Sequence, residues 1–180
     1  DREIADIRAA ILRLRELGAA DPATTFITGP SYGGYLTLLS MGRLPELFAG
    51  GFAVVAMADW ATAFADMNPA LRIVWEKVFA SGELSFAEAC ERMSGSTYVD
   101  SVIGSVWLCQ GARDTRTPPA QAQNYADRMR ERGGDVVIEW FDAGHEPDGL
   151  AAEEHWQRRM LELAERTRAG KRWSETDETT

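Results

Sequence analysis

The segment Gly29-Pro30-Ser31-Tyr32-Gly33 sets one hydroxyl between glycines, the G-x-S-x-G pattern of a nucleophile on a tight turn. A serine held on such a turn must have small neighbours, because its own backbone is strained and the adjacent strands crowd it. Gly29 and Gly33 are expected to supply that room, with Gly34 adding close packing behind. The same five residues also read as a glycine-rich turn with a capping serine, so the pattern alone does not decide the matter. The elements on either side favour the nucleophile. Thr24-Thr25-Phe26-Ile27-Thr28 is rich in β-branched residues and predicts a strand, and Tyr35 to Met41 predicts a helix. The N-terminus of that helix favours negative charge, which makes the backbone N–H of Tyr32 a natural donor to an oxyanion.

A serine hydroxyl near neutral pH needs a base, usually histidine. The chain has two. His155 falls within a predicted helix, as a solvent-facing or packing residue. His145 lies in Asp142-Ala143-Gly144-His145, in a loop after the last predicted strand, and is the candidate base. An orienting acid is expected between serine and histidine in chain order. Asp114, in Gly111-Ala112-Arg113-Asp114-Thr115-Arg116, directly follows a predicted strand and fits. Its bland role is a turn acid before the helix at Thr117-Pro118. Asp142 competes by its nearness to His145, although three residues of separation suit a loop-shaping role better. Trp60, after Asp59, is either a buried aromatic or one wall of a pocket. Arg116 is a surface charge or a cation that reaches a substrate carbonyl or carboxylate, and the residues by themselves favour the surface.

These side chains need a scaffold, and the periodicity supplies one. Ile4, Ile7, Ile11, Leu14 and Leu17 share a helical face that Gly18 ends. Gly51 to Met57, Val102 to Gln110 and Val136 to Phe141 read as further strands, the first of them apolar enough to be covered on both faces. Residues 58–99 are less regular, with helical patches carrying Trp60, Phe64, Leu71, Trp75 and Phe79. Pro119 to Arg132 and Leu150 to Arg168 complete the helices, with Trp156, Met160 and Leu163 of the last facing inward. Strand–helix alternation at this spacing predicts an α/β fold with a parallel sheet. Ligands of such sheets sit beyond the carboxyl ends of the strands, so Ser31, Asp59, Asp114 and His145 are all expected on one rim. Residues 1–169 are expected to form one domain and 170–180 a polar, frayed tail.

Composition narrows the partners. The chain has 180 residues, 45% of them hydrophobic, and a formal net charge of −9. That acidity argues against nucleic acid or an anionic membrane as the main partner. No apolar run approaches the roughly 20 residues of a membrane span. Cys90 and Cys109 lack metal-type spacing and read as buried thiols, and no motif for a metal or cofactor is present. No signal peptide is visible; the cytoplasm is favoured, but the compartment is not legible from a chain that opens on Asp1.

With these residues in view, the chain resembles the prolyl oligopeptidase family of serine peptidases, particularly its acylaminoacyl-peptidase and dipeptidyl-peptidase branches. The likeness is carried by Gly29-Pro30-Ser31-Tyr32-Gly33-Gly34-Tyr35, Asp59-Trp60, Asp114-Thr115-Arg116-Thr117-Pro118 and Asp142-Ala143-Gly144-His145, and spans roughly residues 3–166. It implies an α/β-hydrolase fold and a Ser31, Asp114 and His145 triad that cleaves short or acylated peptides through an acyl-enzyme. It also implies Tyr32 as an oxyanion donor, Trp60 as a wall of the pocket for the residue before the scissile bond, and Arg116 as a ligand of a substrate carbonyl. Pro30 departs from the family pattern. The family's hydrolase domain has further strands before the first helix seen here, which carry the second oxyanion donor, and a β-propeller usually precedes them. Those strands are expected to be missing. The chain is thus expected to be a piece of a larger polypeptide, partnered by the rest of it, and weakly active or inactive alone. A carboxylesterase using the same triad and a truncated, non-catalytic fragment are the alternatives.

Overall fold

The computed structural model describes residues 2–80, 82–146 and 149–175. Among these residues, four strands, β1 (Phe26–Pro30), β2 (Gly50–Val54), β3 (Ser105–Gly111) and β4 (Val136–Phe141), form one parallel sheet in the order β1-β2-β3-β4. Among the described residues, seven α-helices accompany them: α1 (Arg2–Glu16), α2 (Tyr32–Arg43), α3 (Trp60–Asp66), α4 (Pro69–Ala80), α5 (Phe86–Met93), α6 (Pro119–Glu131) and α7 (Leu150–Arg168). This is the α/β arrangement the alternating pattern predicts.

Period-two alternation splits the core in two. Val106 and Leu108 of β3 face a large cluster with α2 and α6, while Trp107 and Cys109 face a second cluster beneath α7. Leu163 of α7 is buried there, with Trp156 and Met160 packed beside it, as their spacing predicts. Burial pushes the Cys109 thiol up to about 12, with Glu139 adding to the shift, and the Cys90 thiol up to about 11, with Asp59 contributing. Both cysteines are free. At the end of α1, Gly18 has φ 70° and closes a paired cap, with Gly18 N–H to Arg15 O and Ala19 N–H to Leu14 O.

Strand limits shift from the sequence expectation for local reasons. β1 starts at Phe26 because Thr24 N–H and the Thr25 hydroxyl both bond back to the Asp21 carbonyl, which spends those residues on a turn. The strand then runs on to Pro30. β2 stops at Val54 because Val55 takes φ 42°, which breaks the extended run. The apolar residues beyond stay buried because Gln121 of α6 clamps them. Its amide donates to Ala56 O at 2.8 Å and accepts from the Ala58 and Asp59 N–H groups.

Ordered packing continues past residue 169. Trp173 is 3% exposed and stacks on Phe52 with ring centroids 4.8 Å apart. Asp135 accepts from the N–H groups of Trp173 and Ser174, and the Trp173 indole donates to Thr167. Burying one large aromatic ring offsets the cost of ordering a few polar neighbours. Residues 176–180, the remainder of the expected tail, lie outside the described residues.

Candidate active site

Ser31 joins β1 to α2 at φ 55° and ψ −116°, a left-handed backbone that a side-chain-bearing residue adopts only when its surroundings enforce it. Enforcement comes from both sides. Ser31 N–H donates to Val54 O at 2.8 Å, and Ser31 O accepts from Tyr35 N–H at 2.9 Å. A Cβ on Gly29 would meet the Gly33 backbone at 2.6 Å, and one on Gly34 would meet Ala56 Cβ at 2.8 Å. Gly33 itself has room, its nearest neighbour being Pro30 Cδ at 3.6 Å. The tight contacts expected at Gly29 and Gly34 are present, while Gly33 is not itself crowded. Ser31 precedes α2 without capping it, which leaves its hydroxyl for another partner.

That partner is His145. Its Nε2 lies 2.9 Å from Ser31 Oγ, and its Nδ1 lies 2.8 Å from Asp114 Oδ2. Three side chains distant in sequence thus form one hydrogen-bonded line at the carboxyl ends of β1, β3 and β4. The loops after β3 and β4 are zipped together by Ala112 N–H to Phe141 O and Arg113 N–H to Ala143 O. Asp114 is buried. Burial pushes its carboxyl up, but bonds from His145, from the Thr117 N–H and hydroxyl, and from Arg116 N–H outweigh this and hold it below the usual carboxylate range. In this geometry an imidazole can take a proton from the alcohol while the carboxylate fixes its tautomer.

The other candidates sort by environment. Asp142 pairs with Arg113 at 3.3 Å and its side chain is 88% exposed, so it shapes the loop rather than touching the imidazole. His155 sits on α7 beside Glu139, away from Ser31. Asp59 caps α3, accepting from Thr62 N–H and the Ser96 hydroxyl, both at 2.8 Å. Trp60 is 1% exposed and lines a cavity of about 620 Å³ beside Ser31 and His145. Arg116 stands at the same cavity, near Glu146 at 3.4 Å. Tyr32 opens α2, so its N–H has no carbonyl to serve within the helix. Its ring stacks on Trp75 at 6.2 Å, and its hydroxyl donates to Glu3.

Several residues escaped the sequence reading. Trp75 of α4 packs on Trp60 with centroids 4.7 Å apart and forms the far wall of the cavity with Leu71 and Val74. Thr117 and Gln110 both donate to Asp114 Oδ2. A lone amide in the apolar run Val106-Trp107-Leu108-Cys109-Gln110 was the available signal for Gln110, since a buried amide needs partners. Nothing in the spacing marks Trp75.

The prolyl oligopeptidase family model matches residues 1–170, nearly the whole chain. The chain belongs to the prolyl oligopeptidase family. Among its relatives is the acylamino-acid-releasing enzyme of Arabidopsis thaliana, 22% identical over 152 residues that make up 81% of this chain and 20% of that protein. The chain thus spans about a fifth of the length of the curated relatives it matches. A puromycin-hydrolyzing peptidase of Mycobacterium tuberculosis superposes with a TM-score of 0.81 at 23% identity, over 91% of this chain and 25% of that one. The acylaminoacyl peptidase of Pyrococcus horikoshii gives 0.76 at 25% identity, over 91% and 27%. The fold is the α/β-hydrolase fold that these family members share. Among the described residues, no helix is long and apolar enough to cross a membrane.

Proposed function

We propose that this prolyl oligopeptidase family chain carries the catalytic residues of a serine peptidase that acts through an acyl-enzyme. The observation that carries the reading is the unbroken line from Ser31 Oγ through the imidazole of His145 to buried Asp114. His145 takes the Ser31 proton as Oγ attacks the scissile carbonyl, then delivers it to the departing amine. Asp114 keeps Nδ1 protonated and balances the imidazolium. The N–H of Tyr32, at the positive end of α2, donates to the oxyanion. Water then repeats the sequence and frees the acyl group.

The substrate is a short peptide or an acylated peptide with a bulky apolar residue before the scissile bond. Tyr32, Met57, Trp60, Leu71, Val74 and Trp75 make the wall facing Ser31 predominantly apolar and aromatic, which supports that preference. Arg116, at the cavity mouth, is the group available to a substrate carbonyl. Relatives named for acylamino-acid release and puromycin hydrolysis agree with this class.

A fluorophosphonate probe and a set of aminoacyl and acyl-peptide amides test the proposal in the full polypeptide carrying this chain. Labelling at Ser31 and amide cleavage are expected. Ester turnover without amide cleavage would favour an esterase, and no labelling would remove the catalytic reading.

A further inference from the structure

Among the described residues, only Ser31 and Val55 are non-glycine residues with positive φ. Ser31 is explained by the elbow. Val55 is the less favourable of the two, because a β-branched side chain fits the left-handed region poorly, and it persists only if both its peptide groups are pinned. They are. Val55 N–H donates to Cys109 O at 2.7 Å, and Val55 O accepts from the Thr117 hydroxyl at 3.0 Å.

Thr117 is 5% exposed and reaches Asp114 twice. Its N–H donates to Oδ1 at 3.0 Å, and its hydroxyl lies 2.7 Å from Oδ2, the oxygen that faces His145. Gln110 braces the arrangement from β3, donating to Thr117 O at 2.9 Å and towards Asp114 Oδ2 at 3.3 Å. The hydroxyl owns one proton and lies against Val55 O, Asp114 Oδ2 and, at 3.4 Å, Nδ1 of His145. The shorter contact to Asp114 holds the carboxylate plane in line with the imidazole. Val55 O lies 3.0 Å away on the other side of Thr117 Oγ1 and competes for the same proton, so the strained peptide borders the hydroxyl's position.

We infer that Thr117 is a positioning residue, whose hydroxyl, slung between Val55 and Asp114, sets the carboxylate that orients His145. The inference rests on the roles proposed above for Ser31, His145 and Asp114. Thr117 borders the cavity beside Ser31, but its hydroxyl is turned to Asp114 and Val55, so the role bears on turnover rather than on binding. No proton is transferred.

The test compares Thr117→Val, which keeps shape and removes the hydroxyl, with Thr117→Ser, which keeps the hydroxyl, in the full polypeptide. A bond to a charged group is worth a factor of about 10–100, so Thr117→Val should lower kcat by that amount with KM within about twofold. Thr117→Ser should return kcat to within about threefold of wild type, because the hydroxyl itself is what matters. Should Thr117→Val fail to fold by its thermal midpoint, Thr117→Ala against Thr117→Ser makes the same comparison. A valine or alanine variant with wild-type kcat overturns the role, as does a serine variant no better than valine. A wild-type protein that neither binds the fluorophosphonate nor cleaves amides overturns the peptidase reading first, and this inference with it.

Discussion

The Gly144 carbonyl oxygen lies in the space that a Cβ on Gly111 would need, so the loop carrying His145 crosses directly over the end of β3. This close approach sets the imidazole 2.8 Å from Asp114, only three residues beyond Gly111. Any side chain at position 111 lifts the loop. Gly111→Ala is therefore expected to cut kcat by about 100-fold or more, since a displacement near 1 Å costs that much. Steady-state kinetics with a matched thermal midpoint check this; unchanged turnover would mean that the loop is not held by the contact.

Removing the proposed nucleophile should separate cleanly from stability, whereas removing its acid also forfeits a buried, hydrogen-bonded carboxylate. Ser31→Ala is expected to lower kcat by about 10⁴–10⁶-fold, and Asp114→Asn by about 10⁴-fold, the latter because the imidazole loses its tautomer. Ser31→Ala also relieves no strain, since alanine meets the same φ of 55°. Amide hydrolysis and probe labelling measure both.

The aromatic wall predicts a change in selectivity. Trp75→Ala opens the cavity between Trp60 and Tyr32 and removes the ring stacked on Tyr32. kcat/KM for amides of bulky apolar residues should fall by about 10–100-fold, with smaller residues less affected. A uniform loss across the substrate series would argue against a pocket for that residue.

Asp135 makes acid stability testable away from the site. Burial raises its carboxyl, but bonds from the Ser105 and Ser174 side chains and from the Trp173 and Ser174 backbone win and hold it below the usual range. A depressed folded value means that the carboxylate adds stability above its unfolded value near 3.9, and that this is lost as pH falls through the folded value. Asp135→Asn should cost about 1–3 kcal/mol at neutral pH and flatten the loss below pH 4. Denaturant unfolding at pH 7 and pH 3 checks it. Equal losses at both would contradict the assignment.

What could be read from the amino-acid order was what contiguous residues encode. The turn at Gly29 to Gly34 needs only its own glycines and the strand and helix beside it, so Ser31 was legible directly. Asp114 and His145 were legible because each follows a strand, and parallel strands deliver their carboxyl ends to one rim. Tertiary structure decided everything that depends on which distant side chains meet. Trp75 is an ordinary helix residue until α4 lays it against Trp60. Thr117 is a turn residue until the strained Val55 carbonyl faces it. Trp173 belongs to a polar terminus until Phe52 and Gly50 leave a flat space for its ring. Periodicity reports which face of an element is apolar, but the partner across that face is set by packing between elements far apart in the chain.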